Sequence, residues 1–222
     1  MIERSLVFLD ANVIAKPVTR TFFMVARLHS GFASVWSLRA EQEAAGHMRP
    51  NAMPPSVVRE AHGSELTPAG SDPERFTATK KSDRVMLADT EAAGARFLVT
   101  EDVDDFGLED LVRAGVSAVN PDLFLAERMT RESYVYAIEL FGRTQTRPRR
   151  EPERIHATIA KQHPLLFAAH ADLYDVEPAQ SEHEPPEVLF RGLRCIRCEA
   201  VVSNQLDLGV CDECRRLHSE RP

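Results

Sequence analysis

The chain alternates short apolar runs with longer stretches in which apolar residues recur at helical spacing. Four short runs predict buried strands: LVFL, FASVW, RFLVT and VSAVN. The stretches around them predict amphipathic helices: TRTFFMVARLHSG, SLRAEQEAAGHM, SDRVMLADTEAAG and PDLFLAERM. Strands that alternate with helices favour an α/β fold, in which helices cover both faces of a mainly parallel central sheet. We therefore expect a three-layer α/β/α sandwich.

The ends of the predicted helices carry local start and stop signals. Ser37 is placed to cap the second helix, and Ser82 or Asp83 to cap the third. Gly31 and Gly94 follow the first and third helices, where a left-handed residue can end a helix. Residues 63–81 are rich in Gly, Ser, Thr and Pro and predict a loop between the second and third helices.

The chain length and the composition shifts predict one main domain with smaller additions. The 222 residues suffice for an α/β domain with its own core, which we place at residues 1–130. Further helical patterns cover residues 131–174, and a Pro- and Glu-rich linker with little apolar content follows at residues 175–190. The last segment, residues 191–222, contains every cysteine of the chain. We expect it to form a small separate module.

The composition limits the classes of protein to consider. No apolar run approaches the roughly eighteen residues of a membrane span, and the N-terminus has neither the basic region nor the long apolar core of a signal peptide. We therefore expect a soluble, cytoplasmic protein. Its 27 basic and 34 acidic residues give a net charge of −7, so contact with nucleic acid would need a local basic surface.

Acidic residues follow two of the predicted strands. Asp10 ends the first strand, and Asp102 and Asp105 follow the third. The carboxyl ends of parallel strands meet at one edge of a sheet, which Glu43 and Asp83 can also reach from neighbouring helices. Carboxylates that converge repel one another unless a cation neutralises them, and hard oxygen ligands suit Mg²⁺ or Mn²⁺. The pattern predicts a divalent metal site.

These residues resemble the PIN-domain ribonucleases, and among them the VapC-like toxins. The strand followed by Asp-x-Asn in VFLDANVI resembles the family's first motif at Asp10, and SLRAEQE matches its helical glutamate best at Glu43. DRVMLADTEAAGARFLVTED resembles the later pattern and assigns its acids to Asp83 and Asp102. DVDDF is similar to the closing Asp-Phe at Asp105. The resemblance covers roughly residues 5–130.

The resemblance implies a role for each acid. Asp10, Asp83 and Asp102 would bind one or two Mg²⁺ or Mn²⁺ ions, Glu43 would bind or orient a water molecule, and Asp105 would assist. The bound ions would promote attack of water on an RNA phosphodiester and stabilise the leaving oxygen. The products would carry 5′-phosphate and 3′-hydroxyl ends.

Two polar residues would support this set of acids. Asn12 can orient Asp10 or bind a water molecule, although it can also be a turn residue. Thr100 can donate its hydroxyl to a carboxylate, or it can simply be a β-favouring residue at a strand end. Asp10 itself can be a helix cap, because an aspartate after a strand often is.

Other acids compete for the same roles. Glu41 lies two positions before Glu43, and on a helix these side chains point about 200° apart, so only one of them faces the site. Asp89 lies about 120° from Asp83 around the next helix axis, on a face that we expect to be solvated. Asp104 is expected to be a loop residue, with replacement of Asp105 as an outer ligand as its alternative.

The region from Arg143 to Lys161 is the most basic part of this acidic chain. Its arginines are candidates for binding RNA phosphates. The alternative is a solvated loop between helices. The candidate residues are Arg147, Arg149, Arg150 and Arg154.

The four cysteines have the spacing C-x2-C-x12-C-x2-C, at Cys195, Cys198, Cys211 and Cys214. This spacing is typical of a structural Zn²⁺ site that stabilises a module with little core of its own. Redox or disulfide pairs are the alternative, and His218 is a weaker candidate ligand. Glu199 and Arg215 stand where a glycine usually follows each pair. The module could contact RNA, a partner protein or a second subunit.

The sequence thus predicts a metal-dependent ribonuclease, a hydrolase of RNA phosphodiester bonds, most simply the toxin of a type II toxin–antitoxin pair. The resemblance implies an antitoxin protein encoded next to it and a homodimer. An RNA-processing PIN endonuclease of ribosomal RNA maturation is the second hypothesis. The third is a zinc-dependent binding or regulatory protein on a PIN scaffold without catalysis.

Overall fold

A computed structural model of the protein describes residues 5–144, 150–180 and 186–219 of the chain. Its strands are β1 (Ser5–Leu9), β2 (Phe32–Val35), β3 (Phe97–Val99), β4 (Ser117–Val119) and β5 (Phe190–Arg191). These strands form one sheet in the order β2-β1-β3-β4-β5. β2, β1, β3 and β4 pair in parallel, and β5 is antiparallel to β4. The predicted α/β class with a mainly parallel sheet is confirmed.

The helices alternate with the strands along most of the chain. They are α1 (Ala11–Ile14), α2 (Pro17–Ala26), α3 (Leu38–His47), α4 (Pro55–Ala61), α5 (Arg84–Ala92), α6 (Leu108–Ala114), α7 (Pro121–Arg128), α8 (Arg131–Thr144), α9 (Pro152–Ile159), α10 (Pro164–Ala169) and α11 (Asp212–Ser219). The predicted loop contains a 3₁₀ turn at Pro73–Arg75 and an isolated β-bridge between Thr67 and Ser37. Within the described ranges, no helix has the length and apolar character that crossing a membrane requires.

The register of the sheet brings the ends of β1, β3 and β4 into line. Leu9 is paired with Val99, and Val99 with Val119. The ladder continues one residue further, because Asp10 N donates to Val99 O at 3.0 Å and Thr100 N donates to Val119 O at 3.0 Å. Asp10 and Thr100 therefore lie side by side at the carboxyl edge of the sheet.

The central strands are covered on both faces. Phe97, Leu98 and Val99 of β3 are all fully buried, and neighbouring residues of a strand point to opposite faces of the sheet. On one face, Phe124 of α7 packs against Phe97 with ring centroids 5.6 Å apart and against Phe32 at 5.1 Å. This continuous core holds the strand ends in fixed positions.

The helix ends follow the local signals in part. Ser37 caps α3, since its Oγ accepts from Ala40 N at 3.3 Å, and Gly31 and Gly94 have the expected positive φ values of 74° and 65°. Asp83 occupies the N-cap position of α5, as one of the two predicted caps, but its side chain makes no capping hydrogen bond there. Instead, the Ser82 hydroxyl donates to the Asp83 carboxylate at 2.8 Å.

The expectation of a solvated Asp89 is wrong. This side chain is fully buried, and its Oδ1 accepts from Gly70 N at 2.6 Å. The long loop packs so closely on α5 that a Cβ on Gly70 would lie 2.2 Å from the carbonyl carbon of Ala88. The loop thereby covers a helix face that helical periodicity alone leaves to solvent.

The end of the chain joins the main sheet. Phe190, the last residue of the predicted linker, is buried and pairs with Val119 of β4. Asn120 N also donates to Leu189 O at 2.8 Å. The cysteine segment therefore begins from an edge strand of the α/β sheet. The division of the chain into domains stays a prediction.

Candidate functional site

Asp10 lies between the sheet edge and the start of α1. Its Oδ1 accepts from Ala11 N at 2.7 Å, and its Oδ2 accepts from the Thr100 hydroxyl at 2.7 Å. Asp10 is thus a helix cap and also the partner of a residue at the end of β3. Thr100 therefore donates its hydroxyl to a carboxylate, which was one of the two roles considered for it.

Asn12 connects the two strand ends. Its Nδ2 donates to Thr100 Oγ1 at 3.1 Å and to the Asp102 carboxylate at 3.0 Å, and its Oδ1 accepts from Glu101 N at 3.3 Å. Asp102 N also donates to Thr100 Oγ1 at 3.2 Å. Asn12 therefore orients Asp102 directly and reaches Asp10 only through Thr100.

The environment of Asp10 favours the neutral carboxyl. The pKa of Asp10 is raised to about 6, chiefly by burial and in smaller part by the charges of Glu43 and Asp83, against the hydrogen bonds from Thr100 and Ala11. Glu43 and Asp83 are therefore close enough to Asp10 to repel its charge. A bound cation would reverse this effect and favour the carboxylate.

Asp83 links Asp10 to the acidic loop after β3. Burial raises the pKa of Asp83, and the charges of Asp105 and Asp102 act in the same direction, while the Ser82 hydrogen bond and the Lys80 charge oppose them. The predicted acids thus form one electrostatically coupled group, which we call the acidic cluster: Asp10, Glu43, Asp83, Asp102 and Asp105.

The acidic cluster is more open than a closed metal site. Among the described residues, only the four cysteines form a group of three or more ligands whose donor atoms all lie within 4.8 Å of one another. Like charges separate when no cation holds them together. The acidic cluster therefore has the charge of a cation site, with carboxylates that stand further apart than bound ligands.

Of the two competing glutamates on α3, Glu41 serves the fold. It is buried, and its carboxylate accepts from Trp36 Nε1 at 2.9 Å and from Arg59 Nε at 2.8 Å. Glu43 is exposed and is the α3 residue whose charge acts on Asp10. This division agrees with the angular separation of the two positions on a helix.

We expect opposite effects from the matched variants Glu41→Gln and Glu43→Gln. Glu41→Gln should lower the free energy of unfolding by about 1–3 kcal/mol, because it removes the charge of the buried carboxylate that pairs with the partly buried Arg59. Glu43→Gln should leave the melting temperature unchanged and reduce metal-dependent cleavage. Thermal melts and cleavage rates per folded protein measure both effects. A stable Glu41→Gln together with a fully active Glu43→Gln would contradict the assignment.

A lysine that the sequence analysis missed lies beside the acidic cluster. Lys80 Nζ is 2.6 Å from the Asp105 carboxylate, and Lys80 N donates to Asp105 O at 2.9 Å. The preceding residue, Thr79, is held by the fully buried Asp110, whose Oδ2 accepts from Thr79 N at 2.8 Å. The signal in the sequence is the basic pair that precedes Asp83 in TKKSD.

Asp104 and Asp105 have different surroundings. The side chain of Asp104 is exposed, whereas Asp105 is half-buried and its charge acts on Asp83. The backbone between them is held from the other end of the chain, because Arg191 Nη1 donates to Asp104 O at 3.0 Å and to Phe106 O at 2.9 Å. Sequence analysis had no signal for this contact, since Arg191 is distant along the chain.

The predicted RNA-binding arginines fall partly outside the described residues. Arg147 and Arg149 lie outside the described ranges, while Arg150 and Arg154 are described and exposed. The role of this basic stretch stays a prediction.

The four cysteines converge on one point. Their sulfurs all lie within 4.8 Å of one another, and Cys198 Sγ is 3.7 Å from Cys211 Sγ. Zn–S bonds of about 2.3 Å place tetrahedral sulfurs about 3.8 Å apart, so the donor set fits Zn²⁺. The thiols are unpaired, and the disulfide alternative is not formed in this structure. The side chain of His218 lies outside the part that the structure describes.

Backbone amides favour an anionic sulfur at Cys195, whereas burial raises the pKa of Cys198 and of Cys214. Burial by itself would raise the pKa of the Cys195 thiol, but N–H groups of Cys198, Cys211 and Arg197 outweigh it and lower the pKa to about 7. Cys211 N, for example, lies 3.4 Å from Cys195 Sγ. Such amides stabilise thiolates, which are the form that binds a metal ion.

Glu199 takes the position where a glycine is usual. It has a φ of 61°, in the left-handed region, so the backbone adopts the expected turn despite the side chain. Its carboxylate accepts from Arg128 Nη1 at 2.8 Å and from Arg96. These ion pairs compensate for the strained backbone and attach the cysteine segment to α7 and to the start of β3.

Of the histidines whose side chains the structure describes, His156, His163 and His170 are buried, whereas His29, His47 and His62 are exposed. His156 Nδ1 lies 2.7 Å from the Tyr134 hydroxyl, and His163 Nε2 lies 2.9 Å from Thr19 Oγ1. Burial lowers the pKa of His163 and of His170 to about 4, so both rings are neutral at physiological pH.

The geometry therefore contains two candidate metal sites, at different ends of the sheet. The acidic cluster lies at the carboxyl ends of β1 and β3, while the cysteine segment contacts residues at the amino ends of β3 and β4, such as Arg96 and Ser117. In comparisons with protein-family models, with curated proteins and with solved structures, the chain matches none of them. Membership of the PIN family therefore stays a prediction from the sequence motifs.

Proposed function

We propose that this protein is a divalent-metal-dependent endoribonuclease with a PIN-like three-layer α/β/α fold. The observation that carries the proposal is the acidic cluster, in which separate chain segments deliver five carboxylates to one edge of a parallel sheet. Burial and mutual repulsion raise the pKa of Asp10 and Asp83, and perturbed acids gathered at one sheet edge are typical of functional sites.

The donor set fits Mg²⁺ or Mn²⁺ in its chemistry. Asp10, Asp83 and Asp102 would hold the ion, because they offer hard oxygen ligands and a surplus of negative charge. Asp102 and Glu43 are both exposed, so an ion can reach their carboxylates from solvent. When bound, the ion supplies a more acidic water molecule and positive charge for the phosphate.

The residues of the chain would divide the remaining tasks. Glu43 would orient the attacking water, and Asn12 would keep the Asp102 carboxylate directed at the ion through its 3.0 Å hydrogen bond. Thr100 would hold Asp10 in the same way. Lys80, beside Asp105, adds a positive charge that an approaching phosphate can contact.

Two biological roles fit this activity. The toxin of a type II pair, with a neighbouring antitoxin and a homodimeric state, rests on the motif resemblance. An RNA-processing endonuclease gains support from the cysteine segment, which starts from strand β5 and forms ion pairs with α7 instead of following a detached linker. A small antitoxin-like reading frame beside the gene would favour the toxin.

A cleavage assay tests the proposed activity. Purified protein should cut labelled single-stranded RNA in Mn²⁺ or Mg²⁺ and stop in EDTA, and the products should carry 5′-phosphate ends. End labelling with and without prior phosphatase treatment identifies those ends. Absence of cleavage across a panel of cellular RNAs in both metals, with zinc retained in the protein, would contradict the proposal.

A further inference from the structure

Arg191 holds the loop that carries two members of the acidic cluster. Its Nη1 donates to the carbonyl oxygens of Asp104 at 3.0 Å and of Phe106 at 2.9 Å. These carbonyls flank Asp105, and the same turn is closed by Asp105 N, which donates to Asp102 O at 3.1 Å. One guanidinium thus fixes the backbone on both sides of Asp105.

Arg191 is itself fixed from two directions. It pairs with Ala118 in β5, at the edge of the sheet. The next residue, Gly192, passes so close to β4 that a Cβ there would lie 2.1 Å from the Ser117 hydroxyl oxygen. Arg194 N donates to that hydroxyl at 3.1 Å, and Cys195 follows at once. The cysteine site therefore begins four residues after Arg191 along a tightly packed backbone.

The cysteine segment is also attached to the main body beyond this strand. Glu199 binds Arg128 and Arg96, and Arg128 Nη1 donates to Ile196 O at 2.8 Å. Arg197 pairs with Glu127 of α7. These contacts lie away from the acidic cluster, so the segment reaches the acidic loop through Arg191.

We propose that Arg191 is a positioning residue that holds the Asp102–Asp105 loop in its metal-binding arrangement. We also propose that the four-cysteine site holds Arg191 in place by fixing the backbone that follows it. This inference rests on the proposed function for its catalytic consequence. Its structural part concerns the loop alone. It assigns the cysteine segment a role inside the molecule, in place of a surface clamp for RNA or a partner.

The tests use three full-length variants loaded with zinc. Arg191→Met removes the guanidinium and keeps an apolar stem, and Arg191→Lys keeps a charge with a shorter reach. Arg216→Met is the matched control, because it removes an exposed arginine of the same segment that pairs with Glu213 within α11. Zinc content, hydrogen exchange of residues 101–107, Mn²⁺ affinity by calorimetry, kcat and KM are measured for each.

For Arg191→Met we expect faster exchange in residues 101–107, with Mn²⁺ binding and kcat each lower by about tenfold and KM unchanged, since small displacements of ligands cost much activity. Arg191→Lys should be intermediate, and Arg216→Met should match the wild type. Removal of zinc from the wild type should accelerate exchange in the same loop. If Arg191→Met loses its zinc or fails to fold, Arg191→Lys becomes the variant that tests the role of Arg191.

The proposal would be overturned if Arg191→Met had the same hydrogen exchange in residues 101–107 and the same Mn²⁺ affinity as the wild type. It would also be overturned if zinc removal left the hydrogen exchange of this loop unchanged. An inactive wild type would contradict the proposed nuclease instead. The hydrogen-exchange comparison would then still decide whether Arg191 holds the loop.

Discussion

Asp10→Asn is expected to abolish metal-dependent RNA cleavage and, at the same time, to stabilise the protein at neutral pH. The variant removes the charge of the buried Asp10 carboxylate, which would bind the metal ion. Metal ions lower the barrier of such reactions by several kcal/mol, so we expect the cleavage rate to fall by about 10³-fold or more. The shape of the side chain is kept. The loss of activity therefore should not arise from unfolding.

The gain in stability follows from the raised pKa of Asp10. Burial raises this pKa from its usual 3.8 to about 6, so the folded protein holds the proton more tightly than the unfolded chain does. The contribution of Asp10 to stability is therefore fully present below about pH 4 and is lost as the pH rises through about 6. At pH 7 the cost is about 3 kcal/mol, at about 1.4 kcal/mol per pKa unit.

Asp10→Asn avoids this cost but loses a hydrogen bond. The amide group cannot accept from both Ala11 N and the Thr100 hydroxyl, which offsets the gain by about 1 kcal/mol. The difference in unfolding free energy between variant and wild type should therefore increase by about 2.5 kcal/mol from pH 4 to pH 7. Urea unfolding of zinc-loaded protein without added Mg²⁺ or Mn²⁺, at several pH values, measures it.

Asp104→Asn is the matched control, because Asp104 is an exposed aspartate next to the acidic cluster. It should keep both cleavage and the wild-type pH dependence. Adding Mn²⁺ should raise the melting temperature of the wild type more than that of Asp10→Asn, since the ion binds the folded site. Full cleavage by Asp10→Asn would refute the mechanism, and a constant stability difference across pH would refute the burial argument.

Replacing Cys211 by Ala should remove the zinc and unfold the C-terminal segment. Structural Zn²⁺ contributes about 10–16 kcal/mol of apparent binding energy in small zinc domains. The segment has few buried apolar side chains of its own, among them Ile196 and Val210, so it has little else to stabilise it. Elemental analysis should find one zinc per chain in the wild type and none in the variant.

The unfolding should remain local at first. Limited proteolysis should cut the Cys211→Ala variant after residue 191, while the α/β sheet keeps its protected amides. Ser203→Ala, an exposed substitution in the same segment, should bind zinc and resist proteolysis like the wild type. A zinc-free wild type with the same resistance to protease would show that the four thiols need no metal.

Local patterns were sufficient to predict the four parallel strands and the edge at which the acids meet. Short apolar runs that alternate with helices leave few arrangements for a parallel sheet, and every such arrangement places Asp10 and Thr100 at the same edge. The four-cysteine site was predictable for a similar reason. Its ligands lie within twenty residues, so their spacing reports their geometry.

Contacts between distant segments were not predictable in this way. Strand β5 has two residues and pairs with a strand seventy positions earlier, so no periodic pattern marks it. The burial of Asp89 depends on a loop that passes over α5, and helical periodicity contains no information about a covering loop. Choosing between Glu41 and Glu43 required the positions of Trp36 and Arg59 in space.

The sequence by itself determined the alternation of strands and helices, the set of acids at the strand ends and the four thiols, because each depends on spacing over a few residues. Only the tertiary structure decided which acids share one electrostatic environment, that Lys80 lies beside Asp105, and that Arg191 joins the cysteine segment to the acidic loop. These features depend on long-range packing, where burial and charge act between residues that are far apart along the chain.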